Sequence, residues 1–255
     1  MRLLPIPTEI LKKGSSIAEA ITKGSTIEEN DIIAVSSKVC AVCEGATIDL
    51  SKIKITSEAE ELASRCGKTP AFRQAVLNET GRMHGTVAGS CSLAMLCELK
   101  PDGLTEGSIL AVNAGLDSSN IEEGFAIGWS KDPVATVKRI RDELCDATGK
   151  KIGVILTDSC CRPRRLGVSA MALAVCGFDP LASQIGKKDL FGKELTMTHE
   201  AVADQLATAA NFLMGNASQS IPAVVIREHG IEMNDFCGWV PGIERGEDLF
   251  CGLFE

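Results

Sequence analysis

Two acidic residues stand where this chain could build a reactive centre. The run Ile109–Val112 is followed by Asn113-Ala114-Gly115-Leu116-Asp117-Ser118-Ser119-Asn120, and residues 152–156 are followed by Thr157-Asp158-Ser159. Both apolar runs read as buried strands, and each acid is expected where its strand runs out into a loop. Two carboxylates with hydroxyls and amides beside them are hard oxygen ligands, suited to magnesium or manganese. A divalent ion flanked by Ser and Asn donors is common equipment for handling a nucleoside triphosphate. The same residue types also make plain turns, because they hydrogen-bond their own backbone. Residue type alone leaves both readings open.

The surrounding elements must hold these acids in place. Residues 31–35 and 151–157 read as buried strands, and so do residues 222–226. Ser57–Cys66 reads as a helix. A second helix over residues 69–79 has Thr69 as N-cap and Pro70 at its first position. Asp132-Pro133 repeats that start signal, and Val134, Val137, Ile140 and Leu144 then form a helical stripe ending before Gly149. Residues 199–214 read as a helix closed by Gly215. The small-residue run 169–176 fits either a helix or a strand. Strands and helices mix without an alternating βαβ rhythm, so the expected class is α+β. Neither GxxxxGK[ST] nor a post-strand GxGxxG is present, which excludes the P-loop and the Rossmann fingerprint.

Composition sets the outer bounds. At 255 residues and 45% apolar content the chain can bury a substantial core. A net charge of −8 speaks against a nucleic-acid surface, which needs a basic stripe. No stretch approaches the roughly 20 apolar residues of a membrane span, and the Pro-broken N-terminus is no signal peptide, so a cytoplasmic protein is expected. Eleven cysteines are many. Most, such as Cys97, Cys145 and Cys176, lie inside apolar patterns and read as small buried hydrophobes. Cys40-Ala41-Val42-Cys43 has zinc or redox spacing, and Cys160-Cys161 is a vicinal pair. His84, His199 and His229 do not complete a zinc site.

A larger set of residues resembles one family. It comprises Asn113 to Asn120 with Glu123-Gly124, Asp158-Ser159 with Arg162-Pro163 and Arg165-Leu166-Gly167, and Lys188-Asp189-Leu190-Phe191-Gly192-Lys193-Glu194-Leu195. Ala201-Val202-Ala203-Asp204, Met214-Gly215 and Ile221-Pro222-Ala223-Val224-Val225 continue it. Together they are similar, in order and spacing from about Ile6 to Arg227, to the coenzyme F420-0:L-glutamate ligases. The resemblance implies GTP-dependent joining of L-glutamate to a carboxylate acceptor, with divalent metal ions, Mg or Mn, two in number. It also implies an intertwined homodimer with two interleaved α+β subdomains per chain. Residues 1–255 are then one catalytic unit whose internal boundary is unassigned, with 228–255 as a C-terminal extension packing on it.

Carried over residue by residue, the resemblance makes Asp117 and Asp158 ligands of one metal. Ser159 stands where the family usually has Thr as a ligand of a second. Asn216 stands where it often has Gln, binding metal through its main-chain carbonyl. Thr8, Glu9, Ile10, Leu11, Ser37, Lys38, Asn120, Met214, Gly215, Ala217 and Ser218 fall where the family contacts GTP. The chemistry fits these residue types. A carboxylate becomes electrophilic as an acyl phosphate, and the amine of glutamate then displaces phosphate. Arg162, Arg164 and Arg165 could grip an acceptor carboxylate or phosphate, or could form an ordinary basic turn.

Three departures bear on the acceptor. Val42 replaces a family Lys, leaving Lys38 as the nearest phosphate-directed cation. Cys160-Cys161 replaces residues that include a Gly, and Ser183 stands for an Asp. The expected acceptor is therefore coenzyme F420-0 or another carboxylate, such as a folate-like molecule or glutamate itself. The alternative is a GTP- and metal-binding regulatory protein of the same fold that has lost ligation.

Overall fold

The chain opens with β1 (Arg2–Ile6), α1 (Ile17–Gly24), β2 (Ile32–Ser36) and α2 (Ser37–Glu44). Helices α3 (Ser57–Cys66) and α4 (Pro70–Arg82) lead into β3 (Thr86–Ser90), β4 (Met95–Leu99) and β5 (Ile109–Val112). After α5 (Pro133–Thr148) come the long strands β6 (Gly153–Cys161) and β7 (Val168–Cys176). The last elements are α6 (Val202–Met214), β8 (Ala223–Arg227) and β9 (Cys237–Trp239). These come from a computed structural model that describes residues 1–253. The class is α+β, as expected.

Six strands form the main sheet, in the order β1-β8-β2-β6-β7-β9. Only β2 and β6 run parallel; every other neighbouring pair is antiparallel. Helix α6 covers one face, where Ala203, Leu206, Ala207 and Ala210 meet Ile32, Ala34, Ile155 and Val224. The alternate residues of β2, Ile33 and Val35, point into the larger core with α1, α5 and the sheet β3-β4-β5. Burial on both faces explains why residues 32–35 of β2 are an unbroken apolar run.

Local chemistry sets several helix ends. Thr69 Oγ1 accepts from Phe72 N at 3.2 Å, and Asp132 Oδ1 accepts from Ala135 N at 2.9 Å, each just before a proline at the helix start. Gly149 ends α5 in the left-handed conformation, at φ 66°.

Other expectations need correction. The ambiguous run 169–176 lies in strand β7, long enough to be buried through its second half. The helix read from residue 199 starts at Val202, because His199–Glu200 pairs with Ala182–Ser183 in a short hairpin. Cys176 is not a plain hydrophobe: it is disulfide-bonded to Cys237, its direct cross-strand partner between β7 and β9. Asp158 does not stand where its strand ends. It lies inside β6, which continues to Cys161 on pairing with β7 alone, while β2 stops at Ser36 opposite Thr157.

Candidate functional site

The strand register gathers the site at one end of the main sheet. Ile6 pairs with Ala223, Ala223 with Val35, and Ser36 with Thr157. The segments leaving these strands therefore emerge side by side. They are the loop from Pro7, the start of α2, the loop before β8, and the part of β6 that carries Asp158. Thr8 N donates to Ser220 O at 3.0 Å, and Ser36 N to Pro222 O at 2.9 Å, closing that row.

A β-bulge sets the aim of Asp158. Leu156 faces Ala174 but Thr157 faces Ala172, so Leu173 is an extra residue on β7. Bulges re-aim side chains beside functional sites. The freed Ala172 N–H donates to Asp204 Oδ1 at 2.8 Å, tying α6 to the bulge. This gives Asp204 a structural role that its sequence position did not disclose.

Asp117 and Asp158 are brought together around Lys38. Asp117 is bridged to Ile127 by paired backbone hydrogen bonds of 2.8 and 2.9 Å. Its Oδ2 accepts from Lys38 Nζ and from Ser119 Oγ, and its Oδ1 from Ser118 N at 2.6 Å and Ser119 N at 3.1 Å. Partial burial opposes its charge, but Lys38 and Ser119 outweigh that and hold the carboxyl down at about 2. Asp158 differs. Burial pushes it up to about 6, against the hydrogen bonds from Trp129 and Ser159 and the charge of Lys38, while Asp117 adds to the rise. Two neighbouring carboxylates thus have opposite tendencies, a common mark of functional sites.

Trp129 is the residue that sequence reading missed. Its indole N–H donates to Asp158 Oδ2 at 2.6 Å, and Ser159 N donates to Oδ1 at 2.9 Å. Trp129 is buried and packs against Trp239 with ring centroids 6.4 Å apart. Gly115 makes room for it: at φ 77°, a Cβ there would lie 2.6 Å from the Trp129 ring. Buried indoles usually find an acceptor, but a tryptophan next to Ser130 carries no sequence signal that the acceptor is Asp158.

The remaining predicted residues divide by location. Asn120 Nδ2 donates to Ala217 O at 2.9 Å, joining the acidic loop to the loop that carries Gly215, Asn216, Ala217 and Ser218. Gln219 Oε1 braces that loop by accepting from Ala217 N at 2.9 Å. Asn216 and Ser218 are exposed, while Met214, the last residue of α6, is buried. Ser37 is buried at the start of α2, whose N-cap Ser36 makes no side-chain cap, so the first N–H groups of that helix are left to other partners. Among Thr8, Glu9, Ile10 and Leu11, the outer two are partly buried, whereas Glu9 and Ile10 are exposed.

A cleft of about 360 Å³ opens beside Asp158 and Ser159. Leu96, Leu110, Val112 and Met171 give it apolar walls, and Arg162 and Arg164 stand at its margin; Arg165 does not line it. Cys160 and Cys161 also line the cleft, and burial pushes the Cys160 thiol up to about 11, so it carries little thiolate. Burial also raises the thiols of Cys40 and Cys43. Among the described residues there is no group of three or more His, Cys, Asp or Glu that could hold a metal ion. The oxygen-only set of two carboxylates with hydroxyls and carbonyls still fits a hard divalent ion. Magnesium is typically held by one or two carboxylates, with water and substrate phosphate completing its shell. No helix among the described residues is long and apolar enough to cross a membrane.

The chain is similar to known proteins along most of its length. The family described as F420-0:Gamma-glutamyl ligase matches residues 5–228. The Coenzyme F420:L-glutamate ligase of Archaeoglobus fulgidus is 37% identical over 232 residues, spanning 89% of this chain and 88% of that protein. The protein of the same name from Methanopyrus kandleri is 34% identical, spanning 93% and 91%. That from Methanocaldococcus jannaschii is 38% identical, spanning 88% and 86%.

Proposed function

The chain belongs to the F420-0:gamma-glutamyl ligase family, and from that premise we propose that it joins L-glutamate to coenzyme F420-0 at the expense of GTP. It is an amide-forming ligase. The observation that carries the finer reading is the Asp117–Lys38 ion pair set beside Asp158 where four segments leave the sheet.

The reaction needs a carboxylate turned into an electrophile. An acceptor carboxylate oxygen attacks the γ-phosphorus of GTP, the bond to GDP breaks, and an acyl phosphate forms. The amine of glutamate then attacks the acyl carbon, loses a proton, and displaces phosphate. Asp117, Asp158, the Ser159 hydroxyl and the Asn216 carbonyl would hold the divalent ions, whose positive charge would offset the repulsion between the triphosphate and the incoming carboxylate.

The chain's own groups supply the rest. Asp117 is kept ionised by Lys38 and the backbone of its own loop. The open start of α2 offers N–H groups to phosphate oxygens, and Lys38 in its first turn adds a positive charge. Arg162 and Arg164 can hold the acceptor's anionic group by paired N–H bonds, while the apolar wall of the cleft packs its body and limits water around the acyl phosphate. A homodimer is part of this reading. The hairpin between residues 182 and 200 leaves Leu190, Phe191 and Met197 almost fully exposed, an apolar surface suited to a second copy.

The test is mass spectrometry of products from GTP, manganese, L-glutamate and an acceptor panel of coenzyme F420-0, folate-like carboxylates and no acceptor. The expected product is F420-0 carrying added glutamate, formed with phosphate release, and abolished in Asp158→Ala. Unchanged turnover in that variant would refute the metal-ligand assignment, and equal turnover with ATP would refute the choice of GTP.

A further inference from the structure

Lys68 is a second lysine whose side chain reaches the acidic loop, with no part in the scheme above. It follows Gly67, which ends α3, and its own backbone is left-handed at φ 62°, a conformation more natural to glycine or asparagine. Its Nζ donates to Ser118 Oγ at 3.0 Å and lies 5.4 Å from the centre of the Phe72 ring. Both partners are neutral. Among the described residues, the lysines in ion pairs are Lys23, Lys38, Lys52 and Lys138, so the charge of Lys68 is unmatched by a carboxylate.

The position is built rather than incidental. Arg73 is fully buried and ties the turn before Lys68 to the acidic loop. Its Nε donates to Gly67 O at 2.9 Å, its Nη2 to Cys66 O, and its Nη1 to Asn113 Oδ1 at 2.8 Å. Asn113 opens the loop that carries Asp117, and the same Oδ1 accepts from Met95 N at 3.1 Å. The backbone just before Lys68 is therefore tied to the loop that carries Asp117. Its counterpart across the loop is Lys38, whose Nζ donates to Ser119 Oγ at 3.1 Å. Two ammonium groups are thus held on the hydroxyls of consecutive serines, one neutralised by Asp117 and one with its charge free.

We propose that Lys68 binds the terminal phosphates of the nucleoside triphosphate, gripping them together with Lys38 from the two sides of Ser118-Ser119. An ammonium has three donors and acts as a compact point charge toward phosphate oxygens. Lys68 spends one donor on Ser118 and keeps two. The assignment rests on the nucleotide reading of the site given above.

The experiment compares the wild-type chain with Lys68→Met, which keeps an unbranched apolar stem against Phe72, and Lys68→Arg, which restores the charge. With GTP, manganese, L-glutamate and F420-0, Lys68→Met is expected to raise the KM for GTP about 10-fold and leave that for F420-0 unchanged. Lys68→Arg should recover most of the loss. A rise in the F420-0 KM instead, no change in either, or an Arg variant as impaired as the Met variant would overturn the proposal. Calorimetric titration with inorganic tripolyphosphate and manganese separates it from the GTP reading. If the wild type fails to turn over GTP, that reading fails, and the tripolyphosphate titration alone decides Lys68. Binding about 10-fold weaker in Lys68→Met supports it, and equal binding overturns it.

Discussion

Replacing Trp129 with Phe keeps a buried ring and deletes the donor that, among the described residues, meets Asp158 Oδ2. The cost has two parts with different pH dependence. The lost ring volume costs about 1 kcal/mol at any pH. The lost hydrogen bond costs about 1.5–3 kcal/mol when its acceptor is charged and about 0.5–1.5 when it is neutral. The sign follows from the carboxyl's position. Burial raises Asp158 to about 6 in the folded protein, above roughly 3.9 in the unfolded chain. Its contribution to stability is therefore fully present below about pH 4 and lost as the pH rises through about 6. At about pH 5 the folded carboxyl is mostly protonated in both proteins, and at about pH 9 it is ionised in both. Urea unfolding in EDTA, followed by far-ultraviolet circular dichroism, should show Trp129→Phe destabilised by about 1.5–2.5 kcal/mol at the lower pH and about 2.5–4 at the higher. Manganese affinity at neutral pH should fall about 10- to 100-fold, as when an outer-shell partner is removed. An equal loss of stability at both pH values would mean that the indole does not support the charged carboxylate, and the reasoning would fail.

Two further changes test other parts of the site and fold. Gly115→Ala forces a Cβ into the Trp129 ring at a positive φ, so it should destabilise the protein by about 2–5 kcal/mol and weaken manganese binding; calorimetric unfolding with a metal titration checks both. Nine cysteines are free and two are paired, so thiol titration of unfolded, unreduced protein should find nine thiols and reduction should raise that to eleven. Cys176→Ser with Cys237→Ser should lower unfolding stability by about 2–4 kcal/mol, measured by urea titration.

Features governed by neighbours in sequence were legible. Thr69-Pro70 and Asp132-Pro133 mark helix starts because a cap and its N–H lie three residues apart, and the apolar runs at 32–35 and 109–112 announce themselves as strands by composition, though only the first is buried throughout. The helix end at Gly149 was readable for the same reason. Features set by long-range pairing were not. Asp158 lies inside a strand because β7 extends past the end of β2, and the bulge at Leu173 appears only when the two strands are paired. The Trp129–Asp158 bond spans 29 residues and the Lys68–Ser118 bond spans 50, distances over which residue type alone specifies nothing. Cys176 likewise read as one more buried thiol, and only the strand register sets it opposite Cys237.

The pairing of Trp129 with Trp239 has an optical consequence. The chain contains these two tryptophans and no tyrosine. Nearly all of its near-ultraviolet absorption and emission therefore arises from two adjoining indoles tilted by 58°, one of them hydrogen-bonded to a residue proposed to hold metal. Most proteins dilute such a signal among chromophores scattered through the fold. Here the background is almost absent, so a change in intrinsic fluorescence reports on the surroundings of Asp158 rather than on the molecule at large. Paramagnetic manganese arriving at that carboxylate would quench the pair, and occupancy could be followed in real time with no label attached.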